Sequence, residues 1–382
     1  MKQVASQIST YTADISGLCS ALYELGGMTV MHDASGCNST FNTHDEPRWY
    51  DMDSAVYITA MSEMDAVMGD DEKSIKDIVR AAQELKPRFV AIGGTPIPMM
   101  IGTDFDAIAR VVTKRTGIPA FGFNTNGMHP YTVGVSKAFK MLAENFVIKE
   151  PKKREGKSCN IIGLTPIDFS ITGYEKSLKV MLENNGYEVI SGWAMGTDLD
   201  EIGESGAADV NIVVSWSGLP AAKVLKKRFG TPYVVCCPMG EKLCKEFIET
   251  LDKASESREC VNLIAENDRD SDIVIIGESV ISGSLAKALK DECGINIKII
   301  CPVDTERKFG YIKAEDEVEL IPLLENAKIV IADPLYRPIC PKEAKFFDLP
   351  HFAFSGRIWK NSIPDFIKEF DNIKANILEI IN

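Results

Sequence analysis

The feature that most constrains the fold of this chain is a regular alternation of short apolar strands with amphipathic helices. Beyond Lys73, strand patterns such as residues 89–92 and 120–123 are each followed by a polar loop and a helical stripe. The alternation begins again at Asn160 and at Ile273, each time as an apolar strand that ends in glycine before a helix. Such alternation is typical of parallel sheets. The sequence therefore predicts an α/β protein with three Rossmann-like domains, each a mostly parallel sheet flanked by helices.

Two polar segments mark the expected domain boundaries. Residues 150–157 contain no large apolar side chain, and residues 268–272 are almost entirely charged. Segments of this kind connect domains because they contribute nothing to a core. Within the third domain, the last strand is expected at residues 351–354. The expected domains are an N-terminal domain with the cysteine candidates described below, a second domain and a third domain, over residues 1–150, 157–266 and 270–382.

Charge and hydropathy exclude several classes of protein. The formal net charge of −13 argues against a nucleic-acid-binding protein. Because the chain has no run of about 20 apolar residues, we expect no membrane span. The first residues open no apolar leader segment, so we expect a cytoplasmic protein. The ten cysteines are then expected to be thiols or metal ligands rather than disulfides.

Cys19 and Cys37 are the candidate ligands of a metal cofactor. Between them lie an apolar strand at residues 28–31 and a tight turn at residues 32–36. Cys37 precedes Asn-Ser-Thr at residues 38–40, whose amides and hydroxyls could stabilise a thiolate or the sulfides of an iron–sulfur cluster. The alternative is that both cysteines pack as small apolar residues. Their spacing by itself matches no established ligand motif.

The loops after the expected strands are rich in small and polar residues. In parallel sheets, ligands bind beyond the carboxyl ends of the strands. We therefore expect the loops at residues 126–129, 215–218, 278–279 and 355–357 to converge on one cavity. Arg357 is the expected anchor for an anionic substrate group, since guanidinium pairs with carboxylates in a bidentate way. Ordinary strand-to-helix turns are the alternative. The candidate pocket residues are Asn126, His129, Ser215, Glu278, Ser279 and Arg357.

Nucleotide and zinc motifs are missing from the sequence. Residues 277–284 run from a strand into a helix, but they lack the lysine and the glycine spacing of a phosphate-binding P-loop. If ATP is used, it should therefore bind to another chain. The four histidines show no metalloprotease-type spacing. Cys236, Cys237 and Cys244 could form a second metal site, with packing in the core as the alternative.

Several segments resemble the nitrogenase component 1 superfamily. An early Gly-Leu-Cys at residues 17–19 and a His-Asp-Ala-Ser-Gly-Cys turn at residues 32–37 are similar to its cysteine segments. Residues 59–70 resemble its T-x-L-x-E-x-D-x-V-x-G-G segment, and residues 96–104 resemble its C-x-x-x-x-I-G-D-D segment. The superfamily includes the molybdenum–iron protein subunits, their cofactor-assembly homologues and the dark-operative protochlorophyllide reductases. The likeness is sharpest over residues 15–135.

This resemblance implies an oxidoreductase that depends on ATP through a partner. An ATP-hydrolysing iron–sulfur protein would deliver electrons, and an iron–sulfur cluster would pass them to a small-molecule, tetrapyrrole-like substrate. Cys19 and Cys37 match ligand positions of the family. Two thiolates per chain cannot complete the four ligands of a [4Fe–4S] cluster. His32 or Asp33, in the turn before Cys37, could add one ligand or could equally form the outer shell of the cluster. We therefore expect a cluster shared between two subunits of a dimer, which is homomeric or formed with a paralogue.

Two departures from the family pattern limit the function. The third cluster cysteine of the family falls at about Pro96, and the cysteine that binds the molybdenum–iron cofactor falls at Ser215. Dinitrogen reduction is therefore not expected, and an organic substrate is favoured. Two other functions remain open from sequence alone. They are a non-catalytic scaffold for cluster or cofactor assembly, and a metal-free protein that binds a small ligand.

Overall fold

Residues 6–34 and 45–381, which a computed structural model describes, contain three parallel sheets in succession. The first sheet has the strand order β2-β1-β3-β4, and all its pairs are parallel. Its strands are β1 (Met28–His32), β2 (Ala55–Ile58), β3 (Val90–Gly94) and β4 (Ala120–Phe123). The accompanying helices are α1 (Asp14–Leu22), α2 (Glu63–Met68), α3 (Glu72–Leu85), α4 (Pro96–Ile101), α5 (Phe105–Thr116) and α6 (Tyr131–Asn145).

The second sheet has the order β6-β5-β7-β8-β9, which is the order of flavodoxin-like sheets. Its strands are β5 (Lys157–Ile162), β6 (Tyr187–Gly192), β7 (Val210–Val213), β8 (Tyr233–Val235) and β9 (Val261–Asn262). Its helices are α7 (Pro166–Phe169), α8 (Tyr174–Asn184), α9 (Leu199–Glu204), α10 (Leu219–Phe229) and α11 (Glu241–Ser257).

The third sheet has the order β12-β11-β10-β13-β14, which is the strand order of dinucleotide-binding folds. Its strands are β10 (Ile273–Ile276), β11 (Lys298–Cys301), β12 (Ile312–Lys313), β13 (Ile329–Ala332) and β14 (Lys345–Asp348). Its helices are α12 (Ser279–Cys293), α13 (Glu317–Leu324), α14 (Phe352–Ser355) and α15 (Phe370–Ile381). The predicted α/β class with three parallel sheets is confirmed. The exact domain boundaries stay a prediction.

The predicted strand at residues 351–354 is wrong. The last strand is β14, and the chain then turns into the short helix α14. The imidazole of His351 caps this helix, because its Nδ1 accepts a hydrogen bond from the Ala353 amide at 3.2 Å. The His351 amide in turn donates to Asp333 Oδ2 at 2.8 Å. A short apolar run suits a buried helical turn as well as a strand, so periodicity alone could not separate the two.

Two hydrophobic cores hold the sheets and helices together. The smaller core fills one side of the first sheet, where Met28 and Val90 of the strands pack against Ile75 of α3 and Ile108 of α5. The larger core continues from α1 and α6 through the second and third sheets. In the part of the chain that the structure describes, no helix is both long and apolar enough to cross a membrane.

Helices α1 and α6 cross with their backbones in direct contact. An added Cβ would lie 1.7 Å from Asp14 O at Gly134 and 2.2 Å from Tyr131 O at Gly17. Both distances are far below van der Waals contact, so only glycine allows this approach. The Asp14 amide also donates to His129 O at 2.9 Å, just before α6 begins. The crossing therefore fixes the first turn of α6 against the first turn of α1.

We expect Gly134→Ala to destabilise the protein by roughly 3 kcal/mol, because the new methyl group must push α1 and α6 apart. Chemical denaturation followed by circular dichroism measures this loss. Gly203→Ala in α9 is the matched control, since the nearest atom to its added Cβ lies at 3.6 Å. That control should be neutral or stabilising by roughly 0.5 to 1 kcal/mol. Equal stability of Gly134→Ala and Gly203→Ala would show that the crossing tolerates a side chain.

Candidate functional site

Each sheet has a switch point, where the strand order reverses between two central strands. The reversals lie between β1 and β3, between β5 and β7, and between β10 and β13. Ligands of open α/β sheets bind at such points, beyond the carboxyl ends of the strands. A hydrogen bond joins the second and third switch points directly, because the Trp216 amide after β7 donates to Glu278 Oε1 after β10 at 2.8 Å.

A cleft of about 720 Å³ opens at the switch point of the first sheet. This volume is typical of a site for a small organic molecule. Asp33 follows β1, and Thr95 and Pro96 follow β3; all three line the cleft. The second and third sheets also contribute to its wall. Their lining residues are Ile167, from α7, and Phe352, Ser355, Gly356, Arg357 and Ile358, from α14 and the segment after it.

The charged groups of the cleft are partly paired with each other. At its mouth, the half-exposed Arg357 has its Nη1 3.9 Å from Asp45 Oδ1. Glu46 is buried, and its Oε1 accepts a hydrogen bond from Arg48 Nε at 2.6 Å. Within residues 6–34 and 45–381, Glu46 Oε2 has no hydrogen-bond partner. The cleft thus offers a cation at its mouth and a free acceptor oxygen in its wall.

The structure brings only some of the predicted pocket residues to this cleft. Arg357 lines it, as does Gly127 from the loop at residues 126–129. The amides of Asn126 and Gly127 donate to the buried Asp14 carboxylate at 3.1 and 2.8 Å, which fixes this loop at the start of α1. Burial raises the pKa of Asp14. His129 is exposed and, like Asn126, is not part of the lining.

Ser215, Glu278 and Ser279 are instead buried where the second and third sheets meet. The Glu278 carboxylate accepts the amides of Trp216, Val280 and Ile281 at 2.8 to 3.0 Å. It therefore caps α12 and ties the loop after β7 to the loop after β10. None of the three residues lines the cleft that contains Arg357. Their role as substrate contacts stays a prediction.

A buried polar network beside these residues was missed by the sequence reasoning. Tyr131 Oη donates to Asp168 Oδ1 at 2.5 Å, and Thr165 Oγ1 donates to Asp168 Oδ2 at 2.7 Å. His351 Nε2 lies 3.4 Å from the same Asp168 Oδ1. The network joins α6, α7 and α14, and its members are almost completely buried. One local signal was present, because Thr165 and Asp168 have the spacing of a helix-capping pair.

Burial perturbs the ionisation of the carboxylates around this network. Desolvation, followed by the charge of Asp168, raises the pKa of Glu278 to about 7. Burial also raises the pKa of Asp333, which hydrogen-bonds Ser355 in the cleft wall. Carboxyl groups with raised pKa values can hold a proton near neutral pH, and such groups cluster at functional sites.

Cys19 is fully buried in α1, one turn beyond the cleft residues Ile15 and Ser16. Burial raises the pKa of its thiol well above the usual range, and the charge of Glu46 adds to this effect. A thiol in such surroundings loses its proton readily only when a metal ion replaces it. The same burial is typical of a thiol packed in a core, so the role of Cys19 as a metal ligand stays a prediction. Cys37 lies outside the described residues.

The other donors do not complete a metal site. Cys236 and Cys237 are buried, and Cys237 Sγ donates to Tyr174 Oη at 3.1 Å, while Cys244 is half-buried. Across residues 6–34 and 45–381, no group of three His, Cys, Asp or Glu side chains is placed to hold a metal ion. A cluster on Cys19 would need Cys37 or donors from a second chain.

A comparison with models of protein families shows which family the chain belongs to. The family model described as "Nitrogenase component 1 type Oxidoreductase" matches residues 25–313. The chain belongs to this family. The match includes β1 to β12 and, from the buried network, Tyr131, Thr165 and Asp168, but it leaves out α1 and α14, which also line the cleft. The resemblance read from the sequence segments is confirmed.

Three relatives illustrate the breadth of the family. One component of the light-independent protochlorophyllide reductase of Synechococcus sp. (strain JA-3-3Ab) is 22% identical over 60% of this chain and 51% of its own length. The nitrogenase molybdenum-iron protein alpha chain of Clostridium pasteurianum is 28% identical over 47% of this chain and 34% of its own length. The nitrogenase iron-molybdenum cofactor biosynthesis protein NifE of Bradyrhizobium diazoefficiens is 23% identical over 68% of this chain and 46% of its own length.

The share of each relative that this chain covers differs between the curated relatives and a solved structure. The chain spans about half the length, or less, of the curated relatives it matches. By contrast, a solved structure titled "Nitrogenase Cp1 at pH 6.5" covers 99% of this chain and 95% of its own, with a TM-score of 0.67 and 14% identity. At that identity the likeness establishes the fold alone.

The raised pKa of Glu278 predicts a pH-dependent contribution to stability. In the unfolded chain the carboxyl ionises near its ordinary pKa of 4.5, whereas the folded chain keeps the proton up to about pH 7. The contribution of Glu278 to the free energy of unfolding is therefore at its full value below pH 4.5, and it is lost as the pH rises to 7. Relative to Glu278→Gln, the wild type should lose roughly 1 to 2 kcal/mol of unfolding free energy between pH 5 and 7.5.

Denaturant titrations of both proteins at the two pH values measure this difference. Replacement of the exposed Glu325 by Gln serves as the control, because it removes a carboxylate without touching the buried network. If the free energies of unfolding of wild type and Glu278→Gln changed equally between pH 5 and 7.5, the raised pKa of Glu278 would be contradicted.

Proposed function

We propose that this chain is a nitrogenase-like component 1 subunit with reductase activity. In this proposal, an ATP-hydrolysing iron–sulfur partner supplies electrons, an iron–sulfur cluster passes them on, and a small-molecule, tetrapyrrole-like substrate receives them. The main observation in support is the cleft at the switch point of the first sheet. This cleft begins one helical turn from Cys19. Membership of an oxidoreductase family supports the reaction class.

Cys19 and Cys37 are the proposed cluster ligands. Asp33 and Asp45 lie on either side of the segment that carries Cys37, and both line the cleft. Ser16, one turn before Cys19, lines it as well. A bound iron–sulfur cluster would supply one-electron transfer at low potential. Because a [4Fe–4S] cluster takes four ligands, we propose that two chains share one cluster across a two-fold axis.

The cleft itself has the groups that a reductase needs. Arg357 at the mouth can pair with a carboxylate of the substrate, and the apolar side chains of Ile167 and Phe352 can exclude water from its skeleton. A reduction consumes protons as well as electrons. Burial raises the pKa of Asp333, which accepts a hydrogen bond from Ser355 in the cleft wall, and we propose this pair as the route by which a proton reaches the substrate.

A methionine-rich face next to the cleft is the proposed docking site of the electron-donating partner. Helix α4 begins with Pro96 in the cleft wall and packs against α2. Although α2 carries apolar side chains and all its residues are described, none of them is buried. Exposed apolar patches mark protein interaction sites, and methionine is common there. This face consists of Met64, Val67, Met68, Met99, Met100, Ile101 and Met128.

A non-catalytic role in cofactor assembly is the second candidate. The cofactor biosynthesis relative matches 68% of this chain, so the matched region does not distinguish a reductase from an assembly protein. Turnover separates the two. A reductase should reduce protochlorophyllide or a related tetrapyrrole when it is given ATP and an iron–sulfur partner protein, whereas a scaffold should release cluster or cofactor to an acceptor without turnover.

Replacing the proposed ligands tests the cluster. After anaerobic purification, Cys19→Ala and Cys37→Ala should each lower the iron and acid-labile sulfide content and weaken the dimer, and the double variant should lose its brown chromophore. Chemical analysis and analytical ultracentrifugation measure these properties. Cys159→Ala is the matched control, because Cys159 is an equally buried thiol in the second sheet. Unchanged iron and sulfide in the double variant would place the metal elsewhere, with Cys236, Cys237 and Cys244 next to test.

Substitution in the methionine-rich face tests the partner site. Met100→Glu places a charge in the middle of the exposed apolar surface and should slow electron delivery from the iron–sulfur partner about tenfold. Val318→Glu on α13 is the control, because this valine is also exposed but lies outside the methionine-rich face. Stopped-flow reduction kinetics measure the rates. Similar rates for Met100→Glu and wild type would remove this face from the docking site.

A further inference from the structure

Arg48 is a buried arginine whose hydrogen bonds join three separate parts of the chain. It follows the cleft residues at 45–47, and only 5% of its side chain is exposed. Its Nε donates to Glu46 Oε1 at 2.6 Å, and its Nη2 donates to Ser20 O at 2.7 Å. Its Nη1 donates at 2.8 Å to both Glu24 Oε1 and Ala194 O. The guanidinium therefore has a protein acceptor for each of its nitrogens.

The acceptors of Arg48 connect the first and second sheets. Ser20 belongs to α1, Glu24 follows its end, and Ala194 lies in the turn after β6. Ala194 has a φ of 90°, an unfavourable value for a residue with a Cβ, which persists only when surrounding contacts enforce it. Glu24 assists, because its Oε2 accepts the Gly196 amide of the same turn at 2.8 Å. Arg48 and Glu24 together hold this turn against α1.

The same contacts lie directly beside Cys19 in α1. Arg48 bonds the carbonyl of Ser20, the residue directly after Cys19. The charge of Glu46, on the same segment, adds to the burial that raises the pKa of the Cys19 thiol. The guanidinium stacks on Tyr23 as well, with Cζ 4.8 Å from the ring centre. No other side chain in the described residues makes all of these connections at once.

We propose that Arg48 is the positioning residue that holds segment 45–49 against α1 and so keeps the Cys19 thiol closed to solvent. The inference rests on the proposed function in one respect, namely that Cys19 is a ligand. Lysine should replace Arg48 only in part, because an ammonium group cannot reach carboxylates and carbonyls in several directions at once. If Cys19 binds a cluster, the same contacts would hold in place the hydrogen-bond donors around this ligand. The reduction potential of a metal site depends on such donors.

The chain offers a second arginine with a comparable structural role. Arg228 of α10 donates to the carbonyls of Ala143 and Val147, the latter at 3.0 Å. It therefore also joins the first and second sheets through backbone carbonyls. Its acceptors lie at and beyond the end of α6 rather than on α1. Replacement of Arg228 controls for the general loss of a bridge between sheets.

Site-selective alkylation of the metal-free full chain tests the proposal. Wild type, Arg48→Met, Arg48→Lys and Arg228→Met are treated with iodoacetamide, and peptide mass spectrometry follows Cys19 and Cys159 separately. Cys159 is the internal reference, because it is an equally buried thiol of the second sheet. Arg48→Met should raise the alkylation rate of Cys19 about tenfold and leave Cys159 unchanged. Arg48→Lys should give a smaller rise, and Arg228→Met should not affect Cys19 selectively.

Two outcomes would overturn the proposal. The first is a Cys19 rate in Arg48→Met that equals the wild-type rate. The second is a parallel rise at Cys19 and Cys159, which would mean that Arg48 acts on global stability only. Since the protein in this experiment contains no metal, the result does not depend on whether a cluster exists. The iron and sulfide analysis of Cys19→Ala tests that separate question.

Discussion

The close crossing of α1 and α6 is the constraint on which the rest of the structure depends. Gly17 and Gly134 let the two backbones touch, and this places the first turn of α6 beside the helix that carries Cys19. From that turn, Tyr131 bonds Asp168 at the second sheet, and Thr132 Oγ1 donates to Asp304 in the third at 2.7 Å. One helix end therefore sets the position of both later sheets relative to the cleft. A change at the crossing should reach the site without touching any residue in it.

Several of these contacts are made by buried carboxylates, and the hydrogen bonds that these groups accept offset part of the cost of burying them. Asp14 and Glu278 accept backbone amides, and Asp333 accepts two amides and a serine hydroxyl. These donors compensate for lost hydration, but burial still raises the three pKa values. Glu278, whose pKa burial raises to about 7, is the one of these three groups that holds a proton near neutral pH.

Local sequence patterns predicted the elements of the fold but not the contacts between them. Apolar strands, glycine stops and helix caps act over a few residues, so the three sheets could be read from the chain. The strand predicted at residues 351–354 failed because its apolar run is too short to separate a strand from a helical turn. Asp168 and Arg48 were missed for a different reason. Arg48 binds Ala194, 146 positions away, and no local pattern records such a pairing.

The two departures from the family pattern acquire a physical meaning in the folded chain. Pro96 starts α4 and lines the cleft, at the position where the family would have a third cluster cysteine. Its pyrrolidine ring offers no atom that could bind a metal. Ser215, where the family would bind its molybdenum–iron cofactor, is buried and paired with Ser217 at 3.0 Å. Neither position can supply a thiolate. The proposed cluster would therefore depend on Cys19 and Cys37, and its need for further donors is the reason for proposing a site completed by a second copy or a paralogue.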